Sequence, residues 1–163
     1  MVFILFILLV ILLRFMELLL SRKNEKWLLQ NGAIEYGSKH YPFIVMLHVL
    51  FICSLILEYT LQATVSYSSF FIILFFILIV FKVWVILSLG QFWNTKVYRI
   101  KEFPLIKRGP YRYLKHPNYL IVIAEIAVIP LAFHLYYTAA IFTLLNLVML
   151  FVRIKTENKA LQI

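Results

Sequence analysis

The chain has 163 residues, 64% of them hydrophobic, a mean hydropathy of +0.93 and a formal charge of +9. Soluble domains are about 45–50% apolar, so this composition excludes an ordinary soluble enzyme and predicts one integral membrane domain over residues 1–163. The single cysteine, Cys53, excludes a disulfide framework or a cysteine metal site within the chain and reads as a small packing residue in mid-span.

A membrane-spanning helix needs about 20 mostly apolar residues. Five segments approach that length: 1–20, 43–63, 70–89, 119–134 and 137–152. The predicted fold is therefore an all-α polytopic bundle of about five transmembrane helices. The first segment is too long and too uniformly apolar for a signal peptide, and its basic residues follow it, so it is expected to be a retained helix. Between the first two spans, 21–42 is a polar connector in which Asn24–Gln30 forms a possible short amphipathic helix, ended by Asn31-Gly32. Trp27, Tyr36, Trp93 and Tyr98 are candidates for interfacial anchors. The last two spans form a helical hairpin, with Pro130 kinking or ending the first arm. Beyond residue 152 the final helix continues as a charged extension.

The basic residues are distributed unevenly. Arg22, Lys23, Lys26 and Lys39 fall in the first connector. Lys96, Arg99, Lys101, Lys107, Arg108, Arg112 and Lys115 fall in the third, and Arg153, Lys155 and Lys159 in the tail. The loops 64–69 and 134–136 carry no Lys or Arg. The positive-inside rule then places the N-terminus outside, the C-terminus in the cytoplasm and both long connectors on the cytoplasmic face, with the cell membrane as the expected location. Anionic membrane lipids suffice as partners for this charge, so nucleic acid is excluded as one.

Charges within spans cost about 2.5 kcal/mol or more at the bilayer centre. Arg14 and Glu17 are three apart and can pair or snorkel. Lys82 lies deeper, and a pair with Glu125 is one way to neutralise it; Glu125 is otherwise a candidate for the substrate side. Glu58, near the outer end of the second span, can reach water.

The four glycines form neither a dinucleotide fingerprint nor a phosphate loop. His40, His48, His116 and His134 are scattered, so no metal site is expected. Two polar elements remain. The first is Gly109-Pro110-Tyr111-Arg112-Tyr113-Leu114-Lys115-His116-Pro117-Asn118-Tyr119. His116 precedes a proline and is pushed out of the helical region, while Pro117 suits the first helical turn. The result is a helix start with free N–H groups and a positive dipole end, a seat for a polar small molecule. The second is Arg153–Leu161, where Arg153 and Glu157 lie four apart on one helix face. Each alone also reads as an interfacial anchor or a surface ion pair worth about 0.5 kcal/mol.

The first element closely resembles the G-x-Y-R-x-x-R-H-P-x-Y signature of the isoprenylcysteine carboxyl methyltransferase family and its phospholipid methyltransferase relatives. Arg153 and Glu157, with Leu161 in register, resemble that family's R-x-x-x-E-E-x-x-L pattern, and Leu89-Gly90-Gln91-Phe92-Trp93 its L-G-x-F/Y-W segment. Asn158 stands in place of the second glutamate, Lys115 in place of an arginine, Phe103 where histidine is frequent and Ile121 where glycine is frequent. The resemblance implies a membrane methyltransferase that uses S-adenosylmethionine without a Rossmann domain, its cofactor site drawn from 89–119 and 153–161. It implies that Phe103, Pro104, Leu105 and Ile106 line the cofactor pocket. Tyr111, His116, Pro117, Asn118 and Tyr119 then contact the cofactor, and Glu157 holds its polar end. Arg153 orients a lipophilic small-molecule or lipidated acceptor, with Glu157 beside it as the second catalytic residue and Glu125 as a further acceptor-side candidate. O-methylation of a prenylcysteine-like carboxylate or of a lipid or polyketide hydroxyl is the expected chemistry. The alternatives are N-methylation of a phospholipid amine and a membrane scaffold without activity.

Overall fold

The computed structural model describes every residue except Val65, Glu102, Gln162 and Ile163. Val65 belongs to the loop 64–69 and Glu102 to the third connector, so those two positions lie outside the described residues. Among the described residues are five α-helices: α1 (Val2–Gln30), α2 (Tyr41–Leu61), α3 (Ser69–Leu89), α4 (Pro117–Leu131) and α5 (Tyr136–Leu161). Four of them are long and apolar enough to cross a membrane. The fourth in chain order, α4, is apolar but has only 15 residues. At 1.5 Å per residue it is about 22 Å long, short of the roughly 30 Å hydrocarbon core.

The helices run past the expected spans where nothing in the sequence stops them. α1 is unbroken from the apolar run through Ser21-Arg22-Lys23-Asn24 to Gln30, so the expected separate helix Asn24–Gln30 is its last two turns. No Gly or Pro interrupts that stretch, and a fall in hydropathy does not end a helix. It ends at Asn31, ahead of Gly32 in the left-handed region at φ 77°. α5 continues through Arg153 and Glu157 to Leu161, the charged helical extension the sequence predicts. A departure from the all-helical expectation is a small antiparallel sheet. Here β1 (Ile34–Tyr36) pairs with β2 (Val97–Arg99), setting Glu35 opposite Tyr98.

The two ends of the bundle differ. At one end aromatic rings fill the core: Phe6 packs 4.8 Å from Phe75 and 5.2 Å from Phe133, centroid to centroid. Glu58 there is half-buried and also has partners in the bundle. Its carboxylate accepts from the backbone N–H groups of Tyr137 (3.1 Å) and Thr138 (2.7 Å), capping the first turn of α5. The α4–α5 hairpin turns just after Pro130, with His134 at φ 57°. Cys53 is exposed on the bundle's outer face and packs no core.

In mid-bundle four charges from three helices meet. Glu125 accepts from Lys82 at 2.5 Å and from Arg14 at 2.7 Å, and Glu17 accepts from Lys82 and Arg14, each at 2.9 Å. Two acids and two bases make the cluster neutral, which is what allows it within an apolar bundle. The opposite end, beyond this cluster, is polar and holds the sheet and the two sequence elements.

Candidate active site

The local chemistry of Gly109–Tyr119 fixes its path. Gly109 adopts φ 57°, and a Cβ there would lie 2.1 Å from Ser88 Oγ. Only glycine fits both the dihedral and the space. Next to it, Arg108 Nε donates to Ser88 O at 2.6 Å, docking the 3₁₀ turn Gly109–Arg112 on the last turn of α3. His116 leaves the helical region at φ −132°, ψ 60°, and Pro117 opens α4. His116 and Tyr119, three apart across this start, stack with ring centroids 5.4 Å apart.

α1 holds the facing wall. Ser21 and Asn24 are both buried and three apart, so they share one face. Asn24 Nδ2 donates to Trp93 O at 2.7 Å, and Thr95 N donates to Ser21 Oγ at 3.1 Å. These bonds fix the 93–95 backbone, whose Thr95 carbonyl accepts from Arg153 Nη2. Beside it, Lys96 Nζ lies 2.7 Å from Glu25, and the Tyr98 hydroxyl lies 2.6 Å from Glu25 and 3.0 Å from Glu35. Burial and the two carboxylates push the Tyr98 phenol up, so it stays protonated as a donor.

Between these walls is a cavity of about 370 Å³. Phe103, Pro104, Leu105, Ile106, Tyr111, His116, Asn118, Tyr119, Arg153 and Glu157 all line it. Within it one hydrogen-bonded line joins the two sequence elements. Arg153 Nε donates to the Tyr119 hydroxyl at 2.9 Å, and that hydroxyl donates to Glu157 Oε2. Glu157 Oε1 lies 3.5 Å from His116 Nδ1, and His116 Nε2 is 2.9 Å from Asn158 Oδ1. The neighbouring Glu157 carboxylate raises the His116 pKa above its ordinary 6.5. Burial and Glu157 push the Tyr111 phenol up in the same way.

Two residues expected at the site lie off its wall. Pro117 shapes the start of α4 without lining the cavity. Glu125 is not brought there either: it is 3% exposed and bound by Lys82 and Arg14. Conversely, Trp93 is not an interfacial anchor. It is 3% exposed and lines the cavity together with Asn94, Lys96 and Tyr98. The sequence signals for this wall are the Leu89-Gly90-Gln91-Phe92-Trp93 segment and the polar run Asn94-Thr95-Lys96 that follows it.

Among the described residues, six buried side-chain polar atoms have no hydrogen-bond partner. Three of them, Trp93 Nε1, His116 Nδ1 and Asn118 Oδ1, belong to residues lining this one cavity. Buried polar atoms are almost always paired, so this concentration sets the cavity apart from the rest of the bundle.

The model of the isoprenylcysteine carboxyl methyltransferase family matches residues 70–163, which hold both sequence elements and the hydrogen-bonded line. The chain belongs to this family. Membership and the apolar helices make it an integral membrane protein of a methyltransferase family. It is 44% identical over 148 residues to "uncharacterized protein YpbQ" of Bacillus subtilis, covering 90% of this chain and 88% of that protein. It is also 33% identical over 155 residues to an "uncharacterized protein" of Haemophilus influenzae, covering 91% and 88% of the two chains. No solved structure matches. The family match begins at α3, so the α1 residues that brace the cavity lie outside it, although the Bacillus relative aligns with most of the chain.

Proposed function

We propose that this family member transfers a methyl group from S-adenosylmethionine to an oxygen of a lipophilic acceptor, either a prenylcysteine-like carboxylate or a lipid or polyketide hydroxyl. The observation that carries the reading is the joining of Arg153, Tyr119, Glu157 and His116 in one cavity that also holds three unpartnered polar atoms. Members of the family generally use S-adenosylmethionine. The donor set fits that molecule: a carboxylate for an ammonium or ribose hydroxyls, an indole N–H and an amide oxygen for polar edges, and the Phe103–Ile106 wall for an adenine face.

When bound, the cofactor supplies an electrophilic methyl on a sulfonium. The protein supplies position and field. Glu157, held by the Tyr119 hydroxyl, fixes the polar end of the cofactor. Arg153 is held from two sides, by Tyr119 and the Thr95 carbonyl, and its Nη1 is left to orient an acceptor oxygen. Lys96, Arg99, Lys107 and Lys115 also line the cavity and favour an acceptor that arrives as an anion or becomes one. The concentration of Lys and Arg in the connectors at the cavity end supports a cytosolic opening and a cell-membrane location.

Titration calorimetry of the detergent-purified protein with S-adenosylmethionine tests the reading. Binding is expected, and His116→Ala or Glu157→Ala is expected to weaken it about tenfold or more, as loss of a hydrogen bond to a charged group does. An intact protein that binds no cofactor removes the proposal.

A further inference from the structure

Arg153 reaches the cavity from α5 with two of its guanidinium nitrogens engaged. Nε donates to the Tyr119 hydroxyl at 2.9 Å, and Nη2 donates to the Thr95 carbonyl. A planar fork held at these two points has its remaining nitrogen, Nη1, aimed by the other two. Tyr119 stands on α4 and is placed by that helix. Thr95 belongs to no helix or strand, so the direction of its carbonyl depends on what holds the peptide plane between Thr95 and Lys96.

That plane is pinned from α1. Lys96 N, at its far end, donates to Asn94 Oδ1 at 2.8 Å, while Asn94 Nδ2 donates to the Ser21 carbonyl at 2.9 Å. One end of the Asn94 amide meets a backbone N–H and the other a backbone carbonyl, so its partners fix which way it is turned. Ser21 Oγ closes the arrangement. It accepts from Thr95 N at 3.1 Å, and lies 2.9 Å from Asn94 Oδ1 and 2.7 Å from Thr95 Oγ1. The Tyr41 hydroxyl, at the start of α2, lies 3.2 Å from the same Thr95 Oγ1. Ser21 itself is buried and does not line the cavity.

We propose that Ser21 is a positioning residue for methyl transfer. By holding Asn94 and Thr95 it fixes the Thr95–Lys96 peptide plane, the carbonyl of that plane sets the guanidinium of Arg153, and Nη1 is thereby aimed at the acceptor oxygen. The inference rests on the methyltransferase reading and adds to it a residue of α1, which precedes the family-matched residues 70–163. The cofactor side is held by other groups. Glu157 is bound by the Tyr119 hydroxyl, His116 Nε2 lies against Asn158, and the Trp93 carbonyl is gripped by Asn24. Loss of the Ser21 hydroxyl therefore acts on transfer and spares cofactor affinity.

Two measurements test this. The first needs no acceptor. Side-chain nitrogen NMR of arginine-labelled protein in detergent reads whether the Arg153 guanidinium turns, its signals assigned by their loss in Arg153→Lys. The parent is expected to show separate Nη1 and Nη2 signals, and Ser21→Ala to merge them. Merged signals in the parent, or signals that stay separate in Ser21→Ala, overturn the proposal.

The second incubates purified protein and membranes of the source cells with methyl-labelled S-adenosylmethionine, follows a single turnover, and measures cofactor affinity by calorimetry. Ser21→Ala is expected to slow transfer by about tenfold or more, as small misplacements at a reacting centre do, while affinity changes by less than about threefold. Ser21→Cys nearly keeps the side-chain shape and gives up the strong hydroxyl bonds, so it should be slowed alike. In Arg153→Lys, whose ammonium cannot serve both partners, Ser21→Ala should slow transfer further by less than about twofold. A serine that serves folding alone gives the same loss in both backgrounds. That result overturns the inference, as does a Ser21→Cys protein as fast as the parent or a loss of affinity as large as the loss of rate. A parent that binds no cofactor, or binds it and labels no membrane lipid, removes the methyltransferase reading itself. The inference fails alone when the parent does both and Ser21→Ala transfers at the parent's rate.

Discussion

Lys82 Nζ lies 2.5 Å from Glu125 Oε2, between two helices in the middle of a bundle that the membrane surrounds. Neither charge is tolerable there alone. With Arg14 and Glu17 they form a neutral square that pins α1, α3 and α4 below the cavity. Glu125→Leu removes one acid and leaves Lys82 and Arg14 to share Glu17. The expected cost is about 3–5 kcal/mol, since an uncompensated buried charge remains. Removing both partners, Lys82→Met with Glu125→Leu, leaves the Arg14–Glu17 pair and should recover much of that loss. Thermal unfolding in detergent compares the two. A double variant less stable than Glu125→Leu alone contradicts the account.

Gly109 meets Ser88 so closely that an added Cβ would sit 2.1 Å from its Oγ and 3.0 Å from its Cβ. Gly109→Ala is therefore expected to lose at least about 1 kcal/mol of stability, from the positive φ and the collision together. It should also weaken cofactor binding, because Arg108 and the 3₁₀ turn move away from α3. Adding Ser88→Gly removes the collision but not the φ strain, so it should restore part of the stability. Melting midpoints of the parent and the two variants, with calorimetric affinities, measure both effects.

The apolar runs made the helices legible, and Gly109–Tyr119 with Arg153/Glu157 made half of the site legible. Other features depend on contacts far apart in sequence. The sheet pairs Ile34 with Arg99 through three-residue strands, too short to show an alternation. Trp93 reads as an interfacial aromatic because its burial depends on Asn24 of α1 gripping its carbonyl. Glu58 has no local partner in sequence and finds one 79 residues away, at the start of α5. Hydropathy alone misplaced the end of α1, since the polar turns up to Gln30 stay helical and carry the Ser21 and Asn24 braces. Glu125 was an acceptor-side candidate because sequence shows depth along a helix and not which neighbours face it.

The pH response of stability follows from His116. Its pKa in the folded protein is raised above 6.5 by Glu157. A group raised on folding contributes stability that is fully present below its unfolded value and is lost as pH rises through the folded value. The melting midpoint should therefore fall as pH increases from about 6.5 through the His116 transition. His116→Gln removes this component, and Glu157→Gln should shrink it by lowering the folded value toward the unfolded one. Melting curves at closely spaced pH in one detergent, for the three proteins, give the comparison. A His116→Gln profile as steep as the parent's assigns the slope to other groups.

Arg153 separates binding from chemistry. Its Nε reaches the Tyr119 hydroxyl at 2.9 Å, its Nη2 reaches the Thr95 carbonyl, and its Cζ lies 5.5 Å from the centre of the Tyr119 ring. These directions hold a planar fork, and a lysine ammonium at the same position can serve only one of them. Arg153→Lys keeps the charge and gives up the orientation. Glu157, His116 and Asn118 stay on the cofactor side, so affinity for S-adenosylmethionine should change by less than about threefold. Transfer to labelled membrane lipid in a single turnover should fall by about 10–100-fold, the worth of one hydrogen bond to a charged group in the transition state. Tyr119→Phe gives the complementary result. It takes the hydroxyl from Glu157 and should weaken cofactor binding by about threefold to tenfold through the lost hydrogen bond. If Arg153→Lys loses affinity while its turnover is kept, Arg153 belongs to the cofactor and not to the acceptor.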